Sequence, residues 1–204
     1  FATKLNYLNY KSPKIHYGNF KILNLIDASY STEDILFSGY TVGQLKIAHF
    51  ITPAIIKSTG IYLDSEILNA GFLSQQLYDA SYSAQQLHDA SYSVIQLKGI
   101  FNDNDILRCG YSAKNLHECN YTSIQLHNFG YTAQQCYDAS YTAQQCYDAS
   151  YTILEVKNAT YSDADIFKLS YSISDFKKIY TNYQILHAGL SSYKLYSGGY
   201  LISD

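Results

Sequence analysis

Charged side chains are scarce in this chain, and arginine occurs only once, at Arg108. Charged residues make up 15% of the 204 residues, and the formal net charge at pH 7 is −3. The chain therefore lacks the basic stripe that phosphate binding requires, and we expect no nucleic-acid partner. Long apolar runs are also missing, so the sequence predicts no membrane-spanning helix and no membrane partner.

Methionine is absent, even at the first position, which leads us to expect a fragment or a processed product. The opening segment FATKLNYLNY has no charged start followed by an apolar run, so no secretory signal is visible. We expect either an intracellular protein or one from which processing has removed the signal. The apolar content of 47% is too high for a disordered chain, and we expect the chain to fold.

A ten-residue repeat runs through almost the whole chain. Most units begin with an aromatic anchor, continue with Ser or Thr, carry an apolar residue at the centre and end with a small residue. Residues 131–140 and 141–150 are identical. A fixed internal period decides the architecture before any other signal. The anchor positions are Tyr10, Phe20, Tyr30, Tyr40, Phe50, Tyr62, Phe72, Tyr82, Tyr92, Phe101, Tyr111, Tyr121, Tyr131, Tyr141, Tyr151, Tyr161, Tyr171, Tyr180, Leu190 and Tyr200.

Each unit carries the signals of a short helix. The Ser or Thr is followed three residues later by Gln, Asp, Glu or Asn, as in Ser83 and Gln86, which is typical of a capping box at a helix N-terminus. The last residue is usually Gly, Ser, Asn or Thr, and Gly or Asn there suits the left-handed residue that ends a helix. About seven helical residues remain in each unit.

A helix of this length is unstable alone, so the units must stack. The anchor and the central residue, for example Tyr82 and Leu87, form a continuous apolar series, and Ala84, Leu87 and Ala90 share one helix face. Consecutive units are interchangeable, so every helix takes an equivalent place. We predict an all-α solenoid with about two to four helices per turn and the anchor, central and alanine columns inside. We expect the tyrosine hydroxyls at the rim.

The register of the repeat slips near residues 50–62, 100–101 and 179–180. The first step is longer than ten residues, around Pro53 and Gly60, and the other two are shorter. We expect irregular loops there, within a single continuous domain spanning residues 1–204. A solenoid needs its terminal apolar faces covered, yet Phe1–Tyr10 and Tyr200–Ile202 are not polar caps. We predict that at least one end is covered by another chain or by missing sequence.

The polar residues of each helix lie opposite its apolar face. One column mixes His, Tyr and Lys, and we interpret it as a tolerant surface rather than as a proton relay or a set of metal ligands. This surface is solvated or meets a partner. The candidate interaction face consists of Gln75, Gln76, Tyr78, Gln85, Gln86, His88, His117, His127, Tyr137 and Tyr147.

The four cysteines invite a metal or disulfide hypothesis, but their spacing argues against both. Cys136 and Cys146 replace the central apolar residue, and Cys109 and Cys119 replace the alanine near the end of the unit. They lack the C-x-x-C spacing of zinc sites. We interpret all four as small core hydrophobes, with adventitious or regulatory disulfides as the first alternative and a metal as the second.

No catalytic motif interrupts the repeat. The sequence has no glycine-rich phosphate loop, nucleophile elbow or metalloprotease helix. The stretch from Phe50 to Tyr62 offers Thr52, Lys57 and Ser58 without an evident base or metal set. We therefore expect no enzyme, no catalytic residue, no cofactor and no metal.

The repeat unit resembles the short A-G-[YF]-[ST]-A-x-x-L-K-x arrays that appear in open reading frames of giant viruses, bacteria and some protists. The resemblance covers nearly the full chain and is clearest from Phe72 to Tyr171. This sequence departs from the pattern in having Asp-Ala-Ser where Lys-Asp-Ala-Gly is frequent, and Cys at two central positions. The resemblance implies a helical repeat fold and brings no common activity with it.

These observations favour a non-enzymatic helical repeat scaffold that mediates protein–protein interaction. The alternative is a structural building block of a larger assembly, such as a virus particle, a filament or a surface layer, formed by self-assembly. Light scattering separates the two, because a rod that stays monomeric at high concentration weakens the assembly hypothesis.

Overall fold

The computed structural model describes residues 21–48 and 51–201. By its internal contacts the chain divides into two compact units, Phe1–Asp105 and Ile106–Asp204, and each unit is described by itself. The single domain expected over residues 1–204 stays a prediction. The expected anchors Tyr10, Phe20 and Phe50, the opening segment Phe1–Tyr10 and the terminal Ile202 lie outside the described residues.

Within the described residues the chain forms short helices about ten residues apart and no strand, which confirms the predicted all-α repeat fold. The first unit contains α1 (Ile22–Asp27), α2 (Thr32–Leu36), α3 (Val42–Ile47), α4 (Pro53–Ser58), α5 (Asp64–Asn69), α6 (Ser74–Asp79), α7 (Ala84–Asp89) and α8 (Val94–Leu97). Helix α9 (Asp103–Arg108) begins in the first unit and ends in the second. The second unit continues with α10 (Ala113–Glu118), α11 (Ser123–Asn128), α12 (Ala133–Asp138), α13 (Ala143–Asp148), α14 (Ile153–Asn158), α15 (Asp163–Lys168), α16 (Ile173–Phe176), α17 (Asn182–Leu186) and α18 (Ser192–Ser197).

Most helices begin at the predicted cap. In α12, the Thr132 hydroxyl accepts a hydrogen bond from the Gln135 backbone N–H at 3.2 Å, and the Gln135 side-chain oxygen accepts the Thr132 N–H at 2.8 Å. Such a cap stabilises a helix by about 1 kcal/mol. The same reciprocal box begins α3, α7, α11, α13, α14, α16 and α17. Helices α5 and α6 follow Leu63 and Leu73, which have no hydroxyl, and keep only the half made by the Glu or Gln side chain.

Most of the described helices end in left-handed turns, as predicted. After α6, the N–H of Tyr82 donates to the C=O of Leu77 at 3.0 Å, and the N–H of Ser81 donates to the C=O of Tyr78 at 2.8 Å. These are the two bonds of a Schellman turn, and Ser81 takes φ +60°. Most helices have six residues rather than seven, because the small residue that follows is already the C-cap. Non-glycine residues with positive φ are Ser29, Ser81, Ser91, Asn120, Ser140, Ser150 and Thr160.

The central residue of each unit is its innermost side chain. Its exposed fraction is 0% in every helix from α1, at Leu25, to α17, at Ile185. Most anchors are buried as well, and Tyr82 and Tyr151 are each 2% exposed. The prediction that the anchor and central columns face inward is therefore confirmed for these helices.

The anchor hydroxyls connect helices that are two apart in the chain. The Tyr171 hydroxyl donates to the C=O of Tyr151 at 2.6 Å, and the Tyr151 hydroxyl donates to the C=O of Tyr131 at 2.6 Å. The expectation of hydroxyls at the rim is wrong, because a buried hydroxyl needs an acceptor and a carbonyl 20 residues earlier supplies it. The same bond joins Tyr92 to Phe72, Tyr131 to Tyr111, Tyr141 to Tyr121 and Tyr161 to Tyr141.

This spacing of 20 residues sets two helices per turn of the array. Helix α12 packs directly on α10 and α14, and α13 packs on α11 and α15. Alternate helices therefore form two separate stacks within a unit. Consecutive helices along the chain belong to different stacks.

The two short steps of the register coincide with the two shortest described helices, α8 and α16, which have four residues each. After α8, the backbone of Lys98 is extended, Gly99 takes φ +86°, and Lys98 forms an isolated bridge with Phe101. At the long step, α4 begins with Pro53, where the first N–H of a helix has no intrahelical acceptor. At the two short steps the helix itself is therefore shortened, and the next helix resumes the pattern.

Candidate interaction surface

The mixed column of His, Tyr and Lys lies over the anchor rings. The ring centroid of His117 is 4.2 Å from that of Tyr141, and the ring of Tyr137 meets Tyr161 edge-on at 4.9 Å. Such aromatic pairs contribute about 0.5 to 1.5 kcal/mol beyond the area they bury. The other pairs of this kind are Tyr78 with Phe101, His127 with Tyr151, and Tyr147 with Tyr171.

Lysine fills the same column through a different contact with the anchor. The Lys57 ammonium lies 3.8 Å from the ring centroid of Tyr82 and donates to the C=O of Ala80 at 3.2 Å. The ammonium of Lys177 lies 4.7 Å from the ring centroid of Tyr200. A cation over a ring face and an aromatic edge against a ring are both favourable. These members of the column therefore differ in charge but share a contact with an anchor ring, and the interpretation of a merely tolerant surface is incomplete.

Two glutamines of the candidate interaction face are committed to helix caps. The side-chain oxygen of Gln76 accepts the N–H of Leu73 at 3.0 Å, and that of Gln86 accepts the N–H of Ser83 at 2.9 Å. These side chains lie at the starts of α6 and α7, where they close the capping box. Their acceptor atoms are engaged by their own helix.

The neighbouring glutamines form exposed pairs with an aspartate one helical turn later. In α6, the Gln75 amide donates to the Asp79 carboxylate at 2.8 Å. We call this arrangement the Gln–Asp pair. It recurs at 2.8 Å in Gln85 with Asp89, Gln134 with Asp138, and Gln144 with Asp148. Gln134 and Gln144 are not part of the candidate interaction face, although they hold the same position in their units as Gln75 and Gln85.

His88 adds a third member to one Gln–Asp pair. Its Nδ1 lies 3.1 Å from the Asp89 carboxylate. Hydrogen bonds from His88 and Gln85 hold the pKa of the Asp89 carboxyl below its usual value. Asp89 therefore presents a fixed negative charge at neutral pH, already bonded on one side.

The candidate interaction face divides between the two stacks. In the second unit, His117 on α10 and Tyr137 on α12 lie in one stack, whereas His127 on α11 and Tyr147 on α13 lie in the other. In the first unit, the same alternation separates Gln75, Gln76 and Tyr78 on α6 from Gln85, Gln86 and His88 on α7. Within each unit the candidate interaction face is therefore shared between the two stacks, and its role in binding stays a prediction.

Open recesses lie between successive anchors of one series. Each recess is lined by an anchor, by the anchor 20 residues later and by the turn between helices. The first recess (about 590 Å³) lies beside Phe72 and Tyr92, the second (about 460 Å³) beside Tyr111 and Tyr131, and the third (about 810 Å³) beside Tyr151 and Tyr171. Gln75 borders the first recess, and Asp148, which accepts the Gln144 amide, borders the third.

The four cysteines are buried thiols, as interpreted. The sulfur of Cys136 lies 3.4 Å from the Tyr151 hydroxyl, and that of Cys146 lies 3.2 Å from the Tyr161 hydroxyl. The pKa of the Cys146 thiol is raised, because the thiol is hydrogen-bonded to Cys136 and because burial disfavours the thiolate. These thiols fill the central apolar column, where both are 0% exposed.

The polar residues of the 50–62 stretch have structural contacts. The Thr52 hydroxyl accepts the N–H of Ile55 at the start of α4, and the Ser58 hydroxyl donates to the C=O of Ile55 at 2.8 Å. Lys57 covers the Tyr82 ring. In the described part of the chain, no three His, Cys, Asp or Glu side chains are grouped so as to hold a metal ion.

None of the helices in residues 21–48 and 51–201 combines the length and the apolar character that crossing a bilayer requires. Searches of curated proteins and of solved structures gave no match to the chain. A family model described as a decapeptide repeat region matches residues 110–182. This segment contains the regular series of tyrosine-to-carbonyl bonds from Tyr131 to Tyr171. The resemblance to decapeptide repeat arrays is therefore confirmed for residues 110–182.

Proposed function

We propose that the protein is a non-enzymatic helical repeat scaffold that binds a protein partner through its Gln–Asp pairs and the recesses beside them. The observation that carries the proposal is the recurrence of one polar arrangement, the same 2.8 Å amide-to-carboxylate bond, on four helices. A repeated surface suits a partner that makes several equivalent contacts.

The Gln–Asp pairs lower the cost of binding. A free glutamine loses rotamer freedom on being immobilised, which costs about 0.5 to 1.5 kcal/mol per side chain in an interface. Gln75 and Gln144 are already held by Asp79 and Asp148. Each pair still offers a carbonyl oxygen and the second carboxylate oxygen as acceptors.

The spacing of the recesses limits the shape of the partner. In the second unit, the second and third recesses belong to the same anchor series, and their first anchors, Tyr111 and Tyr151, are two turns of the array apart. Stacked helices lie about 8 to 10 Å apart, so the two recesses are about 16 to 20 Å apart. A partner helix or extended segment of that length engages both.

The non-enzymatic part of the proposal is supported by the roles of the polar residues in the repeat. Hydroxyls and glutamines at the helix starts form caps, and the His, Tyr and Lys column covers anchor rings. Thr52, Lys57 and Ser58, the polar residues of the one irregular stretch with candidate chemistry, stabilise α4 and the Tyr82 ring.

A pair of double variants tests the scaffold proposal. Gln75→Glu with Gln144→Glu places a second carboxylate beside Asp79 and Asp148 and breaks both Gln–Asp pairs. Gln76→Glu with Gln145→Glu makes the same charge change one residue later, where Glu is tolerated because Glu66 and Glu155 accept the cap N–H in α5 and α14. The immobilised wild-type protein captures partners from cell extract, and cross-linking identifies those in direct contact.

We expect the first double variant to lose a direct partner that the wild type and the second double variant both retain. Circular dichroism confirms that all three proteins are folded. Equal capture by all three would remove the Gln–Asp pairs from the binding surface and contradict the proposal.

A second candidate function is the building block of a larger assembly. It is favoured by exposed aromatic residues on α18, where Tyr193 and Tyr196 are 82% and 70% exposed. Light scattering over a range of protein concentrations tests it. Growth without a limiting size supports an open assembly, and a fixed small size contradicts it.

A further inference from the structure

Cysteine occupies the central position of only two units of the chain, and these two units are consecutive. Cys136 holds this position in α12 and Cys146 holds it in α13, whereas the other units have Leu, Ile, Val or Phe there. Both side chains are 0% exposed. Because consecutive helices belong to different stacks, the two thiols come together in the core from opposite stacks.

The two thiols are in contact with each other. Each lies within hydrogen-bonding reach of the other, and helices α12 and α13 pack together. Burial and these two thiols raise the pKa of Tyr141 to about 12, which places both sulfurs near its hydroxyl. A disulfide joins its sulfurs at about 2 Å, so the bond requires a shift of two side chains that already touch.

Neither thiol is needed to satisfy the tyrosine hydroxyl beside it. The Tyr151 hydroxyl donates its single proton to the C=O of Tyr131 at 2.6 Å, so the thiol is the donor in its contact with Cys136. The Tyr161 hydroxyl likewise donates to a carbonyl 20 residues earlier and accepts the thiol of Cys146. A thiol is a weak donor. Loss of both thiol protons therefore leaves the tyrosine-to-carbonyl bonds in place.

A disulfide fits this position better than a metal ion does. Structural zinc takes four ligands, and the part of the chain that the structure describes groups no third His, Cys, Asp or Glu side chain with the pair. A disulfide is uncharged and needs no ligand from outside the pair. It is therefore compatible with the apolar column that surrounds it.

We propose that Cys136 and Cys146 are a redox modification site, at which a low-molecular-weight disulfide such as oxidised glutathione produces a disulfide bond between the two stacks. The thiolate of one cysteine attacks a sulfur of the small disulfide and forms a mixed disulfide. The small thiolate that leaves takes up the proton that the cysteine lost.

The second step closes the bond. The thiolate of the other cysteine attacks the protein sulfur of the mixed disulfide, and the second small thiolate leaves and takes up the remaining proton. The cysteine pair thus loses two electrons and two protons, and the small disulfide gains them and becomes two thiols. The proposal goes beyond both candidate functions and depends on neither of them.

Access to the pair requires a local opening of α12 or α13, because both thiols are 0% exposed. Each of these helices has six residues and is unstable without its neighbours, and such elements open without global unfolding. We therefore expect slow oxidation of the folded protein. A cross-link between residues ten apart lowers the equilibrium constant of unfolding by about a hundredfold.

Thiol trapping of the full chain in glutathione buffers tests the site with two matched variants. Cys146→Val removes the pair and keeps the column apolar, because Val156 holds the same position in the next unit and is 0% exposed. Cys109→Ala with Cys119→Ala keeps the pair and removes the other two thiols, at a position where the α12 unit has Ala139.

The folded proteins are incubated with oxidised glutathione and quenched with acid, and a maleimide then labels the remaining thiols in denaturant. Mass spectrometry before and after cleavage at Tyr141, which lies between the two cysteines, locates the bond. We expect the wild type and the double alanine variant to lose the mass of two hydrogen atoms and to join Cys136 to Cys146. Their oxidised forms should also unfold at a higher urea concentration than their reduced forms, whereas Cys146→Val should show no such shift.

Maleimide labelling of both central thiols in the oxidised wild type would overturn the proposal. Formation of the bond only in urea that unfolds the chain would overturn it as well, because the folded array would then not bring the pair together. A disulfide that includes Cys109 or Cys119 would place the site elsewhere. A bond that leaves the urea midpoint unchanged would contradict its role as a link between the stacks.

Discussion

The regular part of the second unit and its C-terminal part hold their anchors in different ways. Between Tyr131 and Tyr171, each hydroxyl donates to a backbone carbonyl 20 residues earlier. In the C-terminal part, Tyr180 donates to the Asp163 carboxylate at 2.5 Å and Tyr200 to the Asn182 side chain at 2.6 Å. In the first unit, Tyr82 likewise donates to a side chain, that of Asp64.

The anchor hydroxyl therefore has one of two kinds of acceptor, a backbone carbonyl or a side chain. The backbone carbonyl is present in every unit and requires no particular side chain. The side-chain acceptor requires Asp or Asn at the first position of a helix, as in α5, α15 and α17. Only Tyr180 lies across an irregular step, since the anchors before it are Tyr161 and Tyr171, whereas the spans from Tyr62 to Tyr82 and from Tyr180 to Tyr200 are regular. The side-chain acceptor therefore replaces the carbonyl in regular and irregular turns alike.

The largest expected effect compares a fully buried central residue with a half-buried one. Leu126→Ala removes a side chain that is 0% exposed, and we expect it to lower the free energy of unfolding by about 2 to 5 kcal/mol. Leu195→Ala removes a half-buried side chain and should cost less than half as much. Urea unfolding followed by circular dichroism measures both. Equal losses would show that the C-terminal column is as well packed as the rest.

The next effect is a loss of stability at alkaline pH. Burial, together with the nearby Cys136 and Cys146 thiols, raises the pKa of Tyr141 to about 12. Because this folded pKa lies above the unfolded value of about 10, the stabilisation is complete below pH 10 and is lost as the pH rises towards 12. The loss from Tyr141 alone is about 2 to 3 kcal/mol.

Urea unfolding at several pH values, with tyrosinate absorbance recorded in parallel, measures this loss. Tyr141→Phe should flatten the slope of the free energy of unfolding above pH 10. A slope that is the same in wild type and variant would contradict the assignment to Tyr141.

A pair of hydroxyl deletions tests the two acceptors directly. Tyr171→Phe leaves the buried C=O of Tyr151 without its donor, and an unsatisfied buried acceptor costs about 1 to 3 kcal/mol. Tyr180→Phe leaves Asp163 with its Lys157 partner and with access to water, so we expect a cost of about 0.5 to 1 kcal/mol. Thermal unfolding of both variants gives the comparison. A larger loss of stability for Tyr180→Phe would contradict the expectation that the buried carbonyl is the costlier acceptor to leave without a donor.

The smallest effect concerns the helix ends. Thr160 is β-branched and takes φ +66°, a conformation that costs L-residues about 1 to 2 kcal/mol. Thr160→Gly removes this strain but raises the conformational entropy of the unfolded chain, which opposes folding. We expect a net stabilisation of about 0.5 to 1 kcal/mol. Gly130→Ala is the reverse control. An added β-carbon there meets nothing within 4 Å, so only the strain of the left-handed backbone conformation lowers stability. A loss of stability in Thr160→Gly would show that the threonine side chain makes a favourable contact.

The local structure could be predicted from the sequence because its signals are side chains. The hydroxyl of Thr132 and the amide of Gln135 define the start of α12, and the small residue Ser140 marks its end. The burial of Tyr151 follows from its periodic position. The number of helices per turn could not be predicted, because the acceptor that fixes it is a backbone carbonyl present in every residue.

The candidate interaction face was only partly predictable. The capping roles of Gln76 and Gln86 follow from the same box that predicts the helix starts, so these residues could have been separated from Gln75 and Gln85. The shared role of His117, Tyr137 and Lys57 was hidden, because their common feature is a contact with a ring about 24 residues later. The division into two stacks needed the tyrosine bonds, which sequence alone does not reveal.

Because each turn contains two helices, an odd or even number of inserted decads decides which stack the later helices join. Residues 131–140 and 141–150 are identical, so the array accepts a copied unit without a change in its core. Insertion of one further decad would move every later helix into the opposite stack and exchange the residues that the two sides display. Insertion of two decads would lengthen the array and keep each later helix on its original side.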